Sequence, residues 1–307
     1  MLNSEGSATS RNEHRQRTRR SLRGRGFEPG HRPLRATARR VLLGVSLSFI
    51  VILTVVAAAA PLVAPHDPTD QNYEATLLPP GSPGHVLGTD DLGRDLLSRV
   101  IYGSRSALLV GTISVSIALA IGLVVGLAAG MGPRWLDEGL MLLMDALLSF
   151  PTILVAIAVV SVFGFGLTQV MVALGVVFSP LFARLVRAET RSIRTEGYVL
   201  AARALGVPSA GIVVRHVLPN MVGRLIVQCS SIFALSIVVE AGLAYLGLGT
   251  QPPNPSWGLM LKDARSFAMY ASWLAVYPGL AIALTVLGFN LLGDTLSDIL
   301  SPRRREG

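Results

Sequence analysis

One cysteine, Cys229, and one lysine, Lys262, occur in 307 residues. A lone thiol excludes an intrachain disulfide, and no Cys/His set with zinc spacing is present. Lys262 stands between Leu261 and Asp263. The chain therefore has no G-x-x-x-x-G-K-[ST] loop with which to cradle nucleotide phosphates. Its five histidines are scattered, and neither G-x-S-x-G nor H-E-x-x-H occurs. No catalytic residue, cofactor or metal is expected, and the chain is not an enzyme by itself. Charge is scarce too: 15% of residues are charged against 51% hydrophobic. With a mean hydropathy of +0.54, that balance excludes an ordinary soluble domain and points to an all-α polytopic membrane protein.

The charge that is present is concentrated. Residues 1–40 hold eleven Arg against Glu5, Glu13 and Glu28, which accounts for the whole formal net charge of +8. These arginines lack interleaved aromatics and precede an apolar run, so the stretch reads as a disordered cytoplasmic tail next to membrane lipid rather than a nucleic-acid site. Residues 41–64 are uncharged and long enough to span a bilayer. A cleaved signal is the competing reading, with Arg39-Arg40 before the run and Ala58-Ala59-Ala60 as the cleavage mimic. The run is too long for a signal core, and Pro61 is an awkward new N-terminus. An uncleaved first helix is expected.

Residues 65–105 read as an extracytoplasmic loop, and five further spans are expected within 106–295. These are Ser106 to Gly130, a third ending near Phe163 and broken at Asp145 and Pro151, one from Leu167, Leu225 to Leu246, and Trp273 to Gly293. Residues 296–307 form a basic tail that includes Arg303, Arg304 and Arg305. Gly122, Gly126 and Gly130 place a bare strip on one helix face, suited to close helix packing in lipid. Arg184, Arg187, Arg191 and Arg194 share one helix side and suggest either snorkelling to lipid phosphates or alignment of a neighbouring segment. Asp90, Asp91 and Asp95, interleaved with Arg94 and Arg99, read as an internally paired cap at the membrane surface or as a solvated interfacial helix. His66 and His85 lie far from that cluster in sequence, which argues against a metal there. Placing residue 1 in the cytoplasm puts the arginine-rich segments inside, with both termini, and most acids outside.

Thr195 to Asn220, TEGYVLAARALGVPSAGIVVRHVLPN, interrupts the apolar runs. Thr195 is a candidate cap for a helix from Gly197 to Leu205, which Gly206 ends by taking positive φ ahead of Pro208. Ser209 is the candidate cap of a second helix that runs to Leu218 and is closed by Pro219. Tyr198, Val199, Leu205, Ile212 and Val213 make this elbow too apolar for water, so a partner is expected.

The spacing Ala201-Ala202, Gly206, Leu218-Pro219 resembles the EAA loop of permease subunits in binding-protein-dependent ABC importers. The departures are Leu200, where that family often has Glu, and His216, where it has Ile. Gly88, Thr89, Asp90, Gly93, Arg94, Asp95, Ser98, Arg99, Tyr102, Gly103 and Arg105 resemble the segment that enters the second helix of the dipeptide/oligopeptide/nickel branch, second-permease (C-type) subunit. DALLSFPTILVAI and EAGLAYLGLGTQPPNPSWGLML resemble that branch as well. The resemblance implies a type I ABC importer permease fold with six transmembrane helices in the inner membrane. It implies a second homologous permease, two cytoplasmic ABC ATPases, an extracytoplasmic solute-binding protein, and di- or oligopeptide uptake in preference to nickel. It also implies that Tyr198, Leu200, Ala201, Ala202, Gly206, His216, Leu218 and Pro219 couple to the ATPase. The alternatives are an ion-coupled secondary transporter or channel using Asp145 and Glu240, and a membrane anchor without transport.

Overall fold

The structure is a computed structural model that describes the backbone of residues 32–300 and side chains within 41–299. The arginine-rich stretch 1–31 and Arg303 to Arg305 lie outside the described residues. The chain divides into two compact units, Met1–Val41 and Leu42–Gly307, and the sites below all belong to the second.

Among the described residues, five helices are long and apolar enough to cross a membrane. They are α1 (Arg32–Ala58), α3 (Leu96–Met131), α6 (Leu167–Ile193), α9 (Leu218–Tyr245) and α11 (Trp273–Leu300). Helices α4 (Arg134–Leu148) and α5 (Thr152–Phe163) meet at a 92° bend and are together long and apolar enough for a broken span or a re-entrant loop, which makes five spans, or six if the pair counts as one. The short helices α2 (Ala60–Val63), α7 (Gly197–Ala204), α8 (Ser209–Ile212) and α10 (Trp257–Ala264) connect them.

Several boundaries differ from those the sequence suggests. The first helix already begins at Arg32, so residues 32–40 belong to it rather than to a tail. The second begins at Leu96, ten residues before Ser106. Asp95 is the reason: its carboxylate accepts from Ser98 N at 2.8 Å and Ser98 Oγ at 2.7 Å, capping the helix ahead of its apolar run. Arg134 to Glu138 form the first turn of α4. The last helix runs through to Leu300, into the segment expected to be tail.

Helices α3 and α6 form the centre. A Cβ on Gly126 would stand 2.6 Å from Val186 Cβ, and one on Gly130 would stand 2.7 Å from Thr190 Cβ. Gly122 lies as close against Phe182. The bare strip thus accepts residues spaced by four on α6, and the backbones approach as lipid-embedded helices must in order to pack. Ser114 Oγ adds a hydrogen bond to Met171 O at 3.0 Å. Phe233 of α9 covers Gly111 and stacks on Phe289 of α11, ring centroids 3.9 Å apart. Val110, Leu174, Phe178, Phe182 and Leu243 fill the interior, and Val199, Ile212 and Val217 of the elbow join the same cluster. The outward faces of α1 and of the bent pair stay apolar and exposed, as at Ile52, Leu142 and Val162, which suits a lipid surround.

Candidate functional site

Two constructions carry the chemistry: a charge cluster before α3, and the elbow before α9. In the first, Gly93 at φ 73° brings the chain against the Asn72 carbonyl, a position where any Cβ would collide. That turn aims Asp90 back at its own loop. Asp90 accepts from Leu92 N at 3.0 Å, Arg94 N at 2.9 Å and Arg94 Nε at 2.6 Å. Arg99 Nε lies 3.4 Å from the same carboxylate, and Arg99 Nη1 donates to Pro68 O at 3.2 Å. Thr89 Oγ1 donates to Ala75 O at 2.5 Å and accepts from Leu78 N at 2.9 Å. Asp263 of α10 approaches Arg94 at 3.9 Å and Arg99 at 4.0 Å.

The solvated-helix reading of these charges is corrected. Arg99 is 1% exposed and Asp95 is 2% exposed, because the loop folds over them. Burial pushes the Asp91 carboxyl up, with the neighbouring Asp90 charge adding to the effect. Burial likewise raises Asp263. The separation of His66 and His85 from the acids is also corrected. The loop returns both rings to Asp95, and His85 Nδ1 lies 3.0 Å from Asp95 Oδ1.

The elbow departs from its sequence reading in three respects. Glu196, not Thr195, is the cap residue of α7, and Thr195 Oγ1 instead donates to Ser192 O at 2.8 Å. Pro208 precedes α8, and Ser209 makes no cap bond. Pro219 does not end a second helix: α8 continues through a π-helical segment, Val213–Val217, into α9. Proline has no N–H for the Arg215 carbonyl and its ring crowds that turn. The widened turn absorbs both, with Leu218 N bonding to Val213 O.

Gly206 takes φ 81°, and Val207 N donates to Ala202 O while Gly206 N donates to Arg203 O. This Schellman closure ends α7 and turns the chain toward α8. The arms are clasped at the other end: Asn220 Nδ2 donates to His216 O at 2.6 Å and to Tyr198 Oη at 3.3 Å. The Tyr198 and His216 rings are in tilted contact, their centroids 5.6 Å apart. Of the five residues judged too apolar for water, Val199 and Ile212 are buried in the protein's own core. Tyr198 and Leu205 are left exposed and Val213 is partly buried, while Leu200 and Val214 are exposed beside them.

The arginine row is paired within the chain. Arg184 binds Asp145 at 2.6 Å, Arg187 and Arg191 both bind Asp137, and Arg224 binds Glu189. Arg194 donates to Gly130 O at 2.7 Å. Asp137, Glu189 and Asp263 were not singled out by the sequence. The signal available for Asp137 was the i,i+4 pair Arg187 and Arg191, which needs an acid in apolar surroundings.

With the geometry in place, comparison with known proteins decides the family. Residues 122–306 match the family described as binding-protein-dependent transport system inner membrane component. Residues 38–80 match the N-terminal TM domain of oligopeptide transport permease C. This chain belongs to that family of transport permeases. The permease is 40% identical over 261 residues to a dipeptide transport system permease protein DppC of Alkalihalophilus pseudofirmus, covering 85% of this chain and 86% of the relative. It is 42% identical to a di/tripeptide transport system permease protein DppC of Pseudomonas aeruginosa, covering 84% and 86%. To a glutathione transport system permease protein GsiD of Pectobacterium atrosepticum it is 43% identical, covering 83% and 85%. A solved structure of the MetNI methionine ABC transporter in inward-facing conformations shares the fold at a TM-score of 0.54 and 19% identity. That match covers 66% of the permease and 97% of the solved chain.

Membership leaves the ion-coupled reading without support. Asp145 is ion-paired at an exposed surface, and Glu240, though 2% exposed, stands on a different helix. The permease is a multi-pass membrane protein whose family works with binding proteins.

Proposed function

We propose that this chain is the C-type permease of an ABC importer for di- or oligopeptides in the inner membrane. It works with a second homologous permease, two cytoplasmic ABC ATPases and an extracytoplasmic solute-binding protein. The substrate class rests on relatives named for dipeptide, di/tripeptide and glutathione transport. The coupling role rests on one observation: the elbow is anchored in the core through Val199, Ile212 and Val217, yet presents Tyr198, Leu200, Leu205 and Val214 outward.

In this reading the outward ridge docks on an ATPase in the cytoplasm. Leu200 makes the contact apolar where related loops often use Glu, and Ala201 and Ala202 allow close approach. Closure of the ATPases displaces α7. The Gly206 turn and the Tyr198–His216–Asn220 clasp carry the displacement to α8, and through Leu218 and Pro219 into α9 without a break in the helix. The arginines paired to Asp137, Asp145 and Glu189 hold α4, α6 and α9 as one body behind the elbow. ATP hydrolysis belongs to the partner subunits.

The test is uptake by the reconstituted complex in sealed vesicles. Peptide uptake is expected with ATP and loaded binding protein, and to persist when ion gradients are collapsed. Uptake driven by an ion gradient without ATP would overturn the proposal.

A further inference from the structure

His66, His85 and Asp95 reach one point from three separate stretches. His66 follows α2, His85 closes a small turn bridged to Ser82, and Asp95 caps α3. One nitrogen of each ring and one carboxylate oxygen lie within 4.8 Å of one another. Both Nδ1 atoms face the same oxygen: His85 at 3.0 Å and His66 at 3.8 Å. The ring centroids are 4.9 Å apart. Only His85 is within hydrogen-bond distance, so a simple imidazole–carboxylate pair accounts for one ring and leaves the approach of the second unexplained.

We infer that these three side chains form a binding site for a divalent d-block cation such as Zn2+. In a tetrahedral site with metal–nitrogen bonds of about 2.0–2.1 Å, neighbouring ligand atoms stand about 3.3 Å apart. The two nitrogen–oxygen separations, 3.0 and 3.8 Å, bracket that value, and all three ligand atoms lie within 4.8 Å of one another. Two imidazoles and one carboxylate select a borderline transition metal over Ca2+ or Mg2+, which prefer oxygen cages. The positive end of α3 is not opposed to the cation directly. Asp95 Oδ2 takes the helix amide of Ser98 together with Ser98 Oγ, leaving Oδ1 for the rings. That division also fixes the orientation of the carboxylate, as an outer-shell partner does in metal sites. The Asp95 side chain is 1% exposed, His85 15% and His66 43%, so one flank opens to solvent and admits the ion and a fourth, water ligand.

The cation would tie the segment after α2 to the first turn of α3. Weaker ties already run the same way: His66 N donates to Ser98 Oγ at 3.1 Å and Arg99 to Pro68 O at 3.2 Å. None of these residues lies on the elbow, so the site does not depend on how transport is driven.

The probe is Co2+, titrated into the purified full-length chain in detergent after removal of any affinity tag. Saturable binding with the intense visible bands of four-coordinate cobalt is expected, and Zn2+ should bleach them. His66→Ala is the deciding variant because its half-exposed ring leaves the fold intact. It should weaken Co2+ at least about tenfold, since losing a ligand costs no less than losing an outer-shell partner. His85→Ala should do the same, and Asp95→Asn, which still caps the helix, should weaken binding without unfolding. Wild type and the His66→Ala/His85→Ala double variant titrating alike, or wild type without saturable binding, would overturn the inference.

Discussion

Asp90 and Asp91 are neighbours in sequence with opposite energetic roles. Asp90 accepts two backbone amides and an Arg94 Nε–H, and faces Arg99, all out of water. Removing its charge strands two buried guanidinium groups, a loss of about 3–5 kcal/mol. Asp91 keeps a third of its side chain in solvent and has only Arg94 at 3.8 Å. Its carboxyl is raised by burial, so the folded state binds its proton more readily than the unfolded chain does. For such a group stability falls as pH rises from 3.8 through the raised value, and the penalty is complete above it. Asp90→Asn is therefore expected to lower the thermal midpoint in detergent sharply at neutral pH. Asp91→Asn should leave it equal or higher, with any gain vanishing on acidification. A midpoint series against pH for both variants checks this, and equal losses would contradict the division of roles.

At the scale of elements, the elbow depends on one backbone conformation. A Cβ at Gly206 would meet nothing within 4 Å, so the strain of any side chain there comes from φ 81° alone. Valine in that region costs on the order of 1–2 kcal/mol, whereas asparagine tolerates it. The strain falls on α7, whose buried contact is Val199, while α8 and α9 continue as one helix. Gly206→Val should thus leave a membrane-inserted subunit that transports poorly and retains or stimulates less ATPase. Gly206→Asn should transport nearly as wild type. Co-purified ATPase and uptake, measured together, separate the outcomes, and normal transport by Gly206→Val would show that the elbow is not the coupling element.

The whole molecule has a handed distribution of charge. The elbow and the Arg184 to Arg224 region lie at one end of the spans, and the Asp90 cluster and α10 precede or follow opposite ends of theirs. Arginine in short loops favours the cytoplasm. With Cys229 replaced, a single cysteine at exposed Asn254 should react with an impermeant thiol reagent in intact cells, and one at exposed Thr195 should react only after lysis. The reverse pattern would invert the orientation.

What the sequence determined by itself was whatever depends on local composition and period. The uncharged runs, the glycine strip and the Gly206–Pro208 break specify an all-helical membrane chain with an elbow, and the missing lysine means that it carries no Walker-A loop. Apolar length and glycine spacing act through near neighbours, so they are legible without a fold. The tertiary structure decided everything that pairs residues across the chain. Asp137 meets Arg187 and Arg191 from another helix, and Asp263 reaches Arg94 and Arg99 from α10, which follows α9. His66 and His85 converge on Asp95 because the loop doubles back at Gly93. Pro219 also reads differently in context. Locally it is a helix stop, but core burial of Ile212, Val217 and Met221 holds α8 in line with α9, and one π turn accommodates the missing amide. Long-range charge pairing and packing against a buried core carry no sequence period, and for that reason only the folded chain reveals them.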